Sequence, residues 1–248
     1  MTTDNRYVVP AKLPALVEHY RGKTQQPVRF RLPSWEKALA DVPRHPTGLL
    51  SDPTVTTETT DERYRRRGDR LVTRDAVVEA CQAADLTDAD AVIPAFVLVM
   101  AWGSGTSNSR SLRYTREALQ NVPAASAMLG ESATALRRVR ELADPALVDI
   151  HRRFSLPGVG EAFFTKWFMF AGFEPGRTWQ PLILDSRVRA TLHKTLDVWL
   201  NDLAVVQNDS HRYVAYLTAI HQWAAQLSQP MSAVQLEWIM FQHNGKSI

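Results

Sequence analysis

A single cysteine, Cys81, stands in a chain of 248 residues. It excludes an intramolecular disulfide, a zinc site built on thiolates and an all-cysteine iron–sulfur cluster. The seven histidines are scattered, with no HExxH or similar pair. No protein-built metal site and no cofactor is therefore expected. Long apolar runs are missing too. The longest stretch, residues 91–102, is shorter than the roughly 20 residues that cross a bilayer and contains Pro94. The start, from Met1 to Lys12, is polar and charged and lacks the apolar core of a signal peptide. A cytoplasmic protein without membrane contact is the expectation. Charge of one sign is barely in excess: 29 Lys and Arg against 26 Asp and Glu give a formal net charge of +3. That mild basic bias permits a polyanionic partner without demanding one.

What is present is enough apolar material, 45% of residues, for one large domain or two small ones. Residues 1–50 are punctuated by Pro10, Pro14, Pro27, Pro33, Pro43 and Pro46, with helices expected over 13–20 and 34–40 and short strands near 28–32. Residues 51–70 are rich in Thr, Asp and Arg and end in Arg63-Tyr64-Arg65-Arg66-Arg67-Gly68-Asp69-Arg70. They read as a loop or linker whose charge run is first a solvated face, with a phosphate contact as the alternative. Residues 1–70 are thus expected to be an N-terminal extension with a linker, and 71–248 a helical core. From Thr73, the expected N-cap, helical patterning dominates. Helices are expected over 74–84, from Thr87 as cap to about 102, over 110–119, 132–142, 145–154, 161–171, 185–203, 213–227 and 232–242. A polar break separates the second and third of these, at 103–109.

The most informative segment is Leu156-Pro157-Gly158-Val159-Gly160 followed at once by an apolar helix to Ala171. One glycine permits positive φ in a tight turn, and both let the backbone approach another body closely. Val159 between them is expected to pack inward. Such a turn presents backbone N–H groups at a helix N-terminus, a place for a phosphate oxygen. A phosphate contact of this kind grips DNA without reading its sequence. Downstream, Pro181-Leu182-Ile183-Leu184 delivers one carboxylate, Asp185, to the start of the next helix. An aspartate there is also an ordinary N-cap.

In this order (hairpin, apolar helix, loop, aspartate) the span from about residue 92 to 203 resembles the catalytic core of the helix-hairpin-helix DNA glycosylase superfamily. Phe163-Phe164-Thr165-Lys166 together with Leu184-Asp185-Ser186-Arg187-Val188 is similar to bacterial 8-oxoguanine-glycosylase-like proteins. The resemblance implies a mainly α fold of two helical subdomains with the active-site cleft between them. It implies a monomeric enzyme that flips a modified base out of duplex DNA and hydrolyses its N-glycosidic bond. An oxidised purine is the default substrate class. A hypermodified cytosine in phage DNA is the alternative, and a non-catalytic DNA-binding module the alternative of another class.

The same resemblance distributes roles. Asp185 is the carboxylate that stabilises positive charge on the sugar. The polar loop at 103–109 supplies the side chain that fills the hole left by the flipped base, with Asn108 as candidate and Ser107 and Ser109 as rivals. Gly158, Val159, Gly160, Arg110 and Arg187 are expected at the DNA backbone, with Lys194, Arg113 and Arg116 as further cations. Trp102, Phe163 and Trp167 are expected to wall the base pocket. The attacking lysine of bifunctional members sits two residues after the second glycine, and here that position is Ala162. Lys166 lies one helical turn later and 19 residues before Asp185 (185 − 166). Buried among Phe163, Phe164, Trp167 and Phe168, its amine would have a lowered pKa and attack more readily. Either Lys166 is the nucleophile in a shifted register, or water aided by Asp185 acts instead. Ala162 at the expected lysine position favours water.

Overall fold

The computed structural model describes residues 5–106 and 109–247. The chain is mainly helical. In chain order, a 3-10 turn at Asn5–Tyr7 precedes α1 (Leu13–His19), β1 (Val28–Arg31), α2 (Leu32–Ala38), α3 (Gly48–Ser51), β2 (Thr57–Glu58), α4 (Glu62–Arg65) and β3 (Asp69–Val72). Then follow α5 (Arg74–Ala83), α6 (Ala89–Ser104), α7 (Ser109–Ala118), α8 (Val122–Arg138), α9 (Ala146–Arg153) and α10 (Glu161–Ala171). The last part holds α11 (Ser186–Ala190), which runs into a π-helical turn at Thr191–Thr195, then α12 (Leu200–Leu203), α13 (Asp209–Gln226) and α14 (Ala233–His243). No helix among the described residues is long and apolar enough to cross a membrane.

Two compact units result. One contains residues 25–135 and 154–173, the other residues 1–24, 136–153 and 174–248. In the first, α6 is the central element: every residue from Val92 to Trp102 is buried, and α3, α5, α7, α10 and β1 pack on it. A helix apolar all round must be enclosed in this way, and each large side chain so buried stabilises the unit by about 1.5–3 kcal/mol. In the second unit α13 takes the central place, with α9, α12 and α14 against it and Tyr213, Tyr216, Ile220 and Trp223 in the core.

Several expected boundaries move for identifiable reasons. Residues 51–70, expected as a loop or linker, carry β2, α4 and the start of β3. β3 is the middle strand of an antiparallel sheet of order β1-β3-β2, so the expected domain boundary at residue 70 lies inside a strand of the first unit. Strands this short, flanked by charge, leave little period-2 pattern to read. α8 begins at Val122, ten residues before the expected start (132 − 122). Pro123, a breaker inside a helix, is tolerated in the first turn, and the Asn121 side chain accepts from the Ala124 N–H. α6 is capped by Asp88, not Thr87: Asp88 accepts from the Asp90 N–H, while Thr87 is held by Asp85. The expected helix over 185–203 ends early, because the chain passes through a left-handed residue, Asp197 (φ 57°), before α12. By contrast, Thr73 caps α5 as expected, accepting from Ala76 N–H, and α10 has the expected bounds.

Candidate active site

The hairpin segment and α10 belong to the first unit. Pro157, Gly158 and Gly160 are exposed, while Leu156 and Val159 are buried. Two apolar anchors thus hold the turn down and leave its backbone at the surface. A Val159 N–H to Leu156 O bond of 3.1 Å closes it. Gly158 has φ +73°, and a Cβ there would lie 2.6 Å from Glu117 Oε2 and 3.2 Å from the Tyr114 Cα. The left-handed conformation requires glycine, and the close approach of α7 adds to the cost of any side chain there. Gly160 is different: it caps α10 with φ −77° and would meet nothing within 4 Å. A side chain at the cap of α10 would therefore point into open space.

Lys166 is buried, at 5% exposure, on the inner side of α10. Its stem passes against the last turn of α6, where a Cβ on Gly103 would come within 2.6 Å of Lys166 Cδ. A polar break was expected at residue 103, but α6 continues to Ser104 and its glycine makes room for the lysine. The Lys166 Nζ donates to Ala162 O at 2.6 Å and lies 5.5 Å from the centroid of the Phe163 ring. Helical side chains lean toward the N-terminus of their helix. The amine of Lys166 consequently sits at the level of residue 162.

The other expected pocket residues separate into two kinds. Phe163 is half-buried and meets Tyr114 edge-on at 5.9 Å. Trp102 is 7% exposed, edge-on to Phe170 at 4.8 Å, and its buried indole N–H has no acceptor. Trp167, expected in the pocket wall, is instead a core residue. It is fully buried, meets Phe96 edge-on and donates its N–H to Leu129 O and Ser132 Oγ, both at 3.2 Å. α10 is buried on nearly all sides from Phe164 onward, so spacing along it could not separate a pocket wall from core. Arg110 lies on α7 and is exposed. Ser109 opens α7, while Asn108 and Ser107 lie outside the described residues.

Asp185 belongs to the second unit and caps α11. Its Oδ1 accepts from Arg187 N–H at 3.0 Å and Val188 N–H at 3.1 Å, and the residue is 8% exposed. The run before it is clamped. Leu182, Ile183 and Leu184 are buried, Tyr213 donates to Leu182 O at 3.0 Å, and Tyr216 donates to Ile183 O at 2.8 Å. These two tyrosines of α13 fix the backbone that delivers the carboxylate. Nothing in their sequence spacing tied them to Asp185 from 28 and 31 residues away (213 − 185, 216 − 185). Arg187 is exposed, its guanidinium 4.7 Å from the centroid of the Phe241 ring.

The loop leading to this run is ordered by Arg177. Its guanidinium donates to Leu136 O, Val139 O, Trp179 O and Gln180 Oε1, so it satisfies carbonyls at the C-terminus of α8. Burial holds its pKa down to about 10. Gln180 is shared with His221, whose Nε2 lies 2.9 Å from Gln180 O, and burial pushes the His221 pKa down.

A family model described as "Putative 8-oxoguanine DNA glycosylase OGG-like protein" matches residues 21–241. No curated protein and no solved structure matches the chain.

Proposed function

The chain belongs to this OGG-like family, and on that premise we propose that it is a DNA glycosylase acting on a flipped, modified base in duplex DNA, with an oxidised purine as substrate. The mainly helical architecture is that of a helix-hairpin-helix glycosylase. The observation that carries the proposal is the family match across 21–241, which takes in both the open, glycine-capped start of α10 and the clamped Asp185.

In this proposal the Gly158–Gly160 turn holds a phosphate through backbone N–H groups at the start of α10, with Arg110 and Arg187 as further backbone contacts. Asp185 stabilises the positive charge that builds on the sugar as the C1′–N bond breaks. The base leaves with the bonding electron pair and takes up a proton. Lys166 is the nucleophile: its Nζ attacks C1′, loses a proton and forms a C–N bond that can go on to a Schiff base. The 19-residue spacing from Lys166 to Asp185 (185 − 166) supports this over water, because it is close to the spacing the resemblance implies. Trp102 and Phe163 line the base pocket, and the unanswered Trp102 N–H suits a carbonyl oxygen of the base.

The test is release of base from purified protein given duplexes that each carry one modified base, oxidised purines and modified cytosines included. Abasic sites or strand breaks at an oxidised purine are expected. Duplex binding without release of any base would replace the glycosylase with a non-catalytic binding module.

A further inference from the structure

We propose that the arginine turn formed by α4 and the start of β3 is a second DNA contact, gripping duplex phosphates beside the end of α6. The inference rests on the glycosylase proposal for its ligand, duplex DNA, and goes beyond it in assigning a contact to a part of the chain with no role in base excision.

Three observations carry it. The first is unanswered charge. Arg63, Arg65 and Arg67 are exposed, and among the described residues none of them pairs with a carboxylate, although the Arg63 guanidinium lies 5.7 Å from the Tyr64 ring centroid. Their neighbours are occupied: Arg66 bonds Glu62, and Arg70 donates to Thr56 Oγ1 and Thr56 O. Three like charges within five residues repel one another, and a polyanion removes that repulsion.

The second is that the turn is built on a sheet rather than hanging free. Arg29 of β1 stacks on Tyr64 with its guanidinium 3.3 Å from the ring centroid. Asp69, at 4% exposure, lies between Arg29 and Arg31, 3.6 and 3.3 Å from their Nε atoms. Gly68 turns the chain with φ +71°, and a Cβ on it would lie 2.7 Å from Pro33 Cγ. Leu32 N–H donates to Gly68 O at 3.1 Å. The arginines therefore project from a fixed base, which lowers the entropy lost on gripping a phosphate.

The third is position. A Cβ on Gly105 would lie 3.8 Å from Arg29 O, and α6 packs on β1. The sheet thus lies against the end of α6, the helix whose last turn also holds Lys166. Guanidinium groups suit phosphate because their planar fork can donate two parallel hydrogen bonds.

The experiment compares wild type with Arg63→Gln/Arg65→Gln/Arg67→Gln in the full chain, measuring affinity for an unmodified and a lesion-bearing duplex between 50 and 200 mM salt (about the range over which phosphate contacts are resolved). A control triple variant, Lys12→Gln/Arg21→Gln/Lys23→Gln, removes the same charge from exposed positions elsewhere. For the arginine-turn variant, the slope of log K against log salt is expected to become shallower by roughly 2–3, at about 0.9 per phosphate. Affinity should fall equally on both duplexes, thermal stability should hold, and single-turnover base release at saturating DNA should keep its rate. An unchanged slope, or a change no larger than the control's, overturns the proposal while wild-type base release leaves the glycosylase standing. A wild type that binds no duplex overturns both.

Discussion

In the proposed mechanism Asp185 serves structure and chemistry separably. Asparagine caps a helix about as well as aspartate, and the two bonds made by Oδ1 to Arg187 and Val188 N–H survive the change. Asp185→Asn is therefore expected to keep the melting temperature and duplex affinity of the wild type. It loses the charge opposed to the developing cation, and single-turnover base release should fall by at least about 10²–10³-fold, the scale of one preorganised electrostatic group. Release near the wild-type rate would remove Asp185 from the mechanism. Lys166 gives the complementary test. Borohydride should trap a covalent protein–DNA adduct with wild type and not with Lys166→Gln; intact abasic sites without any adduct would return the attack to water. Asp185 was legible in the sequence because a cap after an apolar run has a local signature. The level of the Lys166 amine was not, since it depends on the lean of a side chain and on a glycine in another helix, 63 positions away (166 − 103). Trp167 was misread because aromatic spacing on a helix buried nearly all round carries no information about which face meets a cavity.

The hairpin places two glycines two residues apart under opposite constraints. Gly158→Ala puts a Cβ into a left-handed residue and against Glu117 and the Tyr114 backbone, so it should destabilise the fold by more than about 1 kcal/mol and lower the melting temperature. Gly160→Ala meets open space at an ordinary φ and should leave the melting temperature alone. Gly160→Leu should also fold, yet weaken binding to every duplex alike by filling the space a phosphate would take. Weakening confined to one base identity would show that the turn reads the base rather than the backbone. At this scale the sequence is readable where an element carries its own signal. The proline-glycine turn and apolar run of α10 and the threonine cap of α5 are such cases. It is silent where the deciding bond is distant. The π-helical turn at Thr191–Thr195 is one example, with Thr191 Oγ1 donating to Met240 O across 49 positions. β2 before the arginine turn is another, made a strand by pairing to β3 rather than by its own pattern.

At the scale of the whole chain, each of the two units is assembled from stretches far apart in the sequence. No composition shift marks that division, because it is set by which distant helices meet. α13 is a case in point: it gathers α9, α12 and α14 and clamps the Asp185 segment through Tyr213 and Tyr216. Its own His221 makes the stability of the fold depend on pH. Burial is the largest cause of the lowered His221 pKa, with Arg177 adding to it, and the hydrogen bond to Gln180 opposes both. His243 is lowered as well, again chiefly by burial. In the unfolded chain both histidines return to about 6.5. Between that value and the lower folded values, the unfolded chain binds more protons than the folded one, so stability rises with pH. The contribution is fully present above pH 6.5 or so and is lost as pH falls through the folded pKa values. The melting temperature is accordingly expected to drop between about pH 7.5 and pH 5. His221→Gln, which keeps a donor and an acceptor facing Gln180 but cannot be protonated, should flatten part of that drop and leave the share of His243 in place. An identical pH profile for wild type and His221→Gln would mean that His221 does not couple protonation to folding, and that carboxylates or His243 alone set the acid limb.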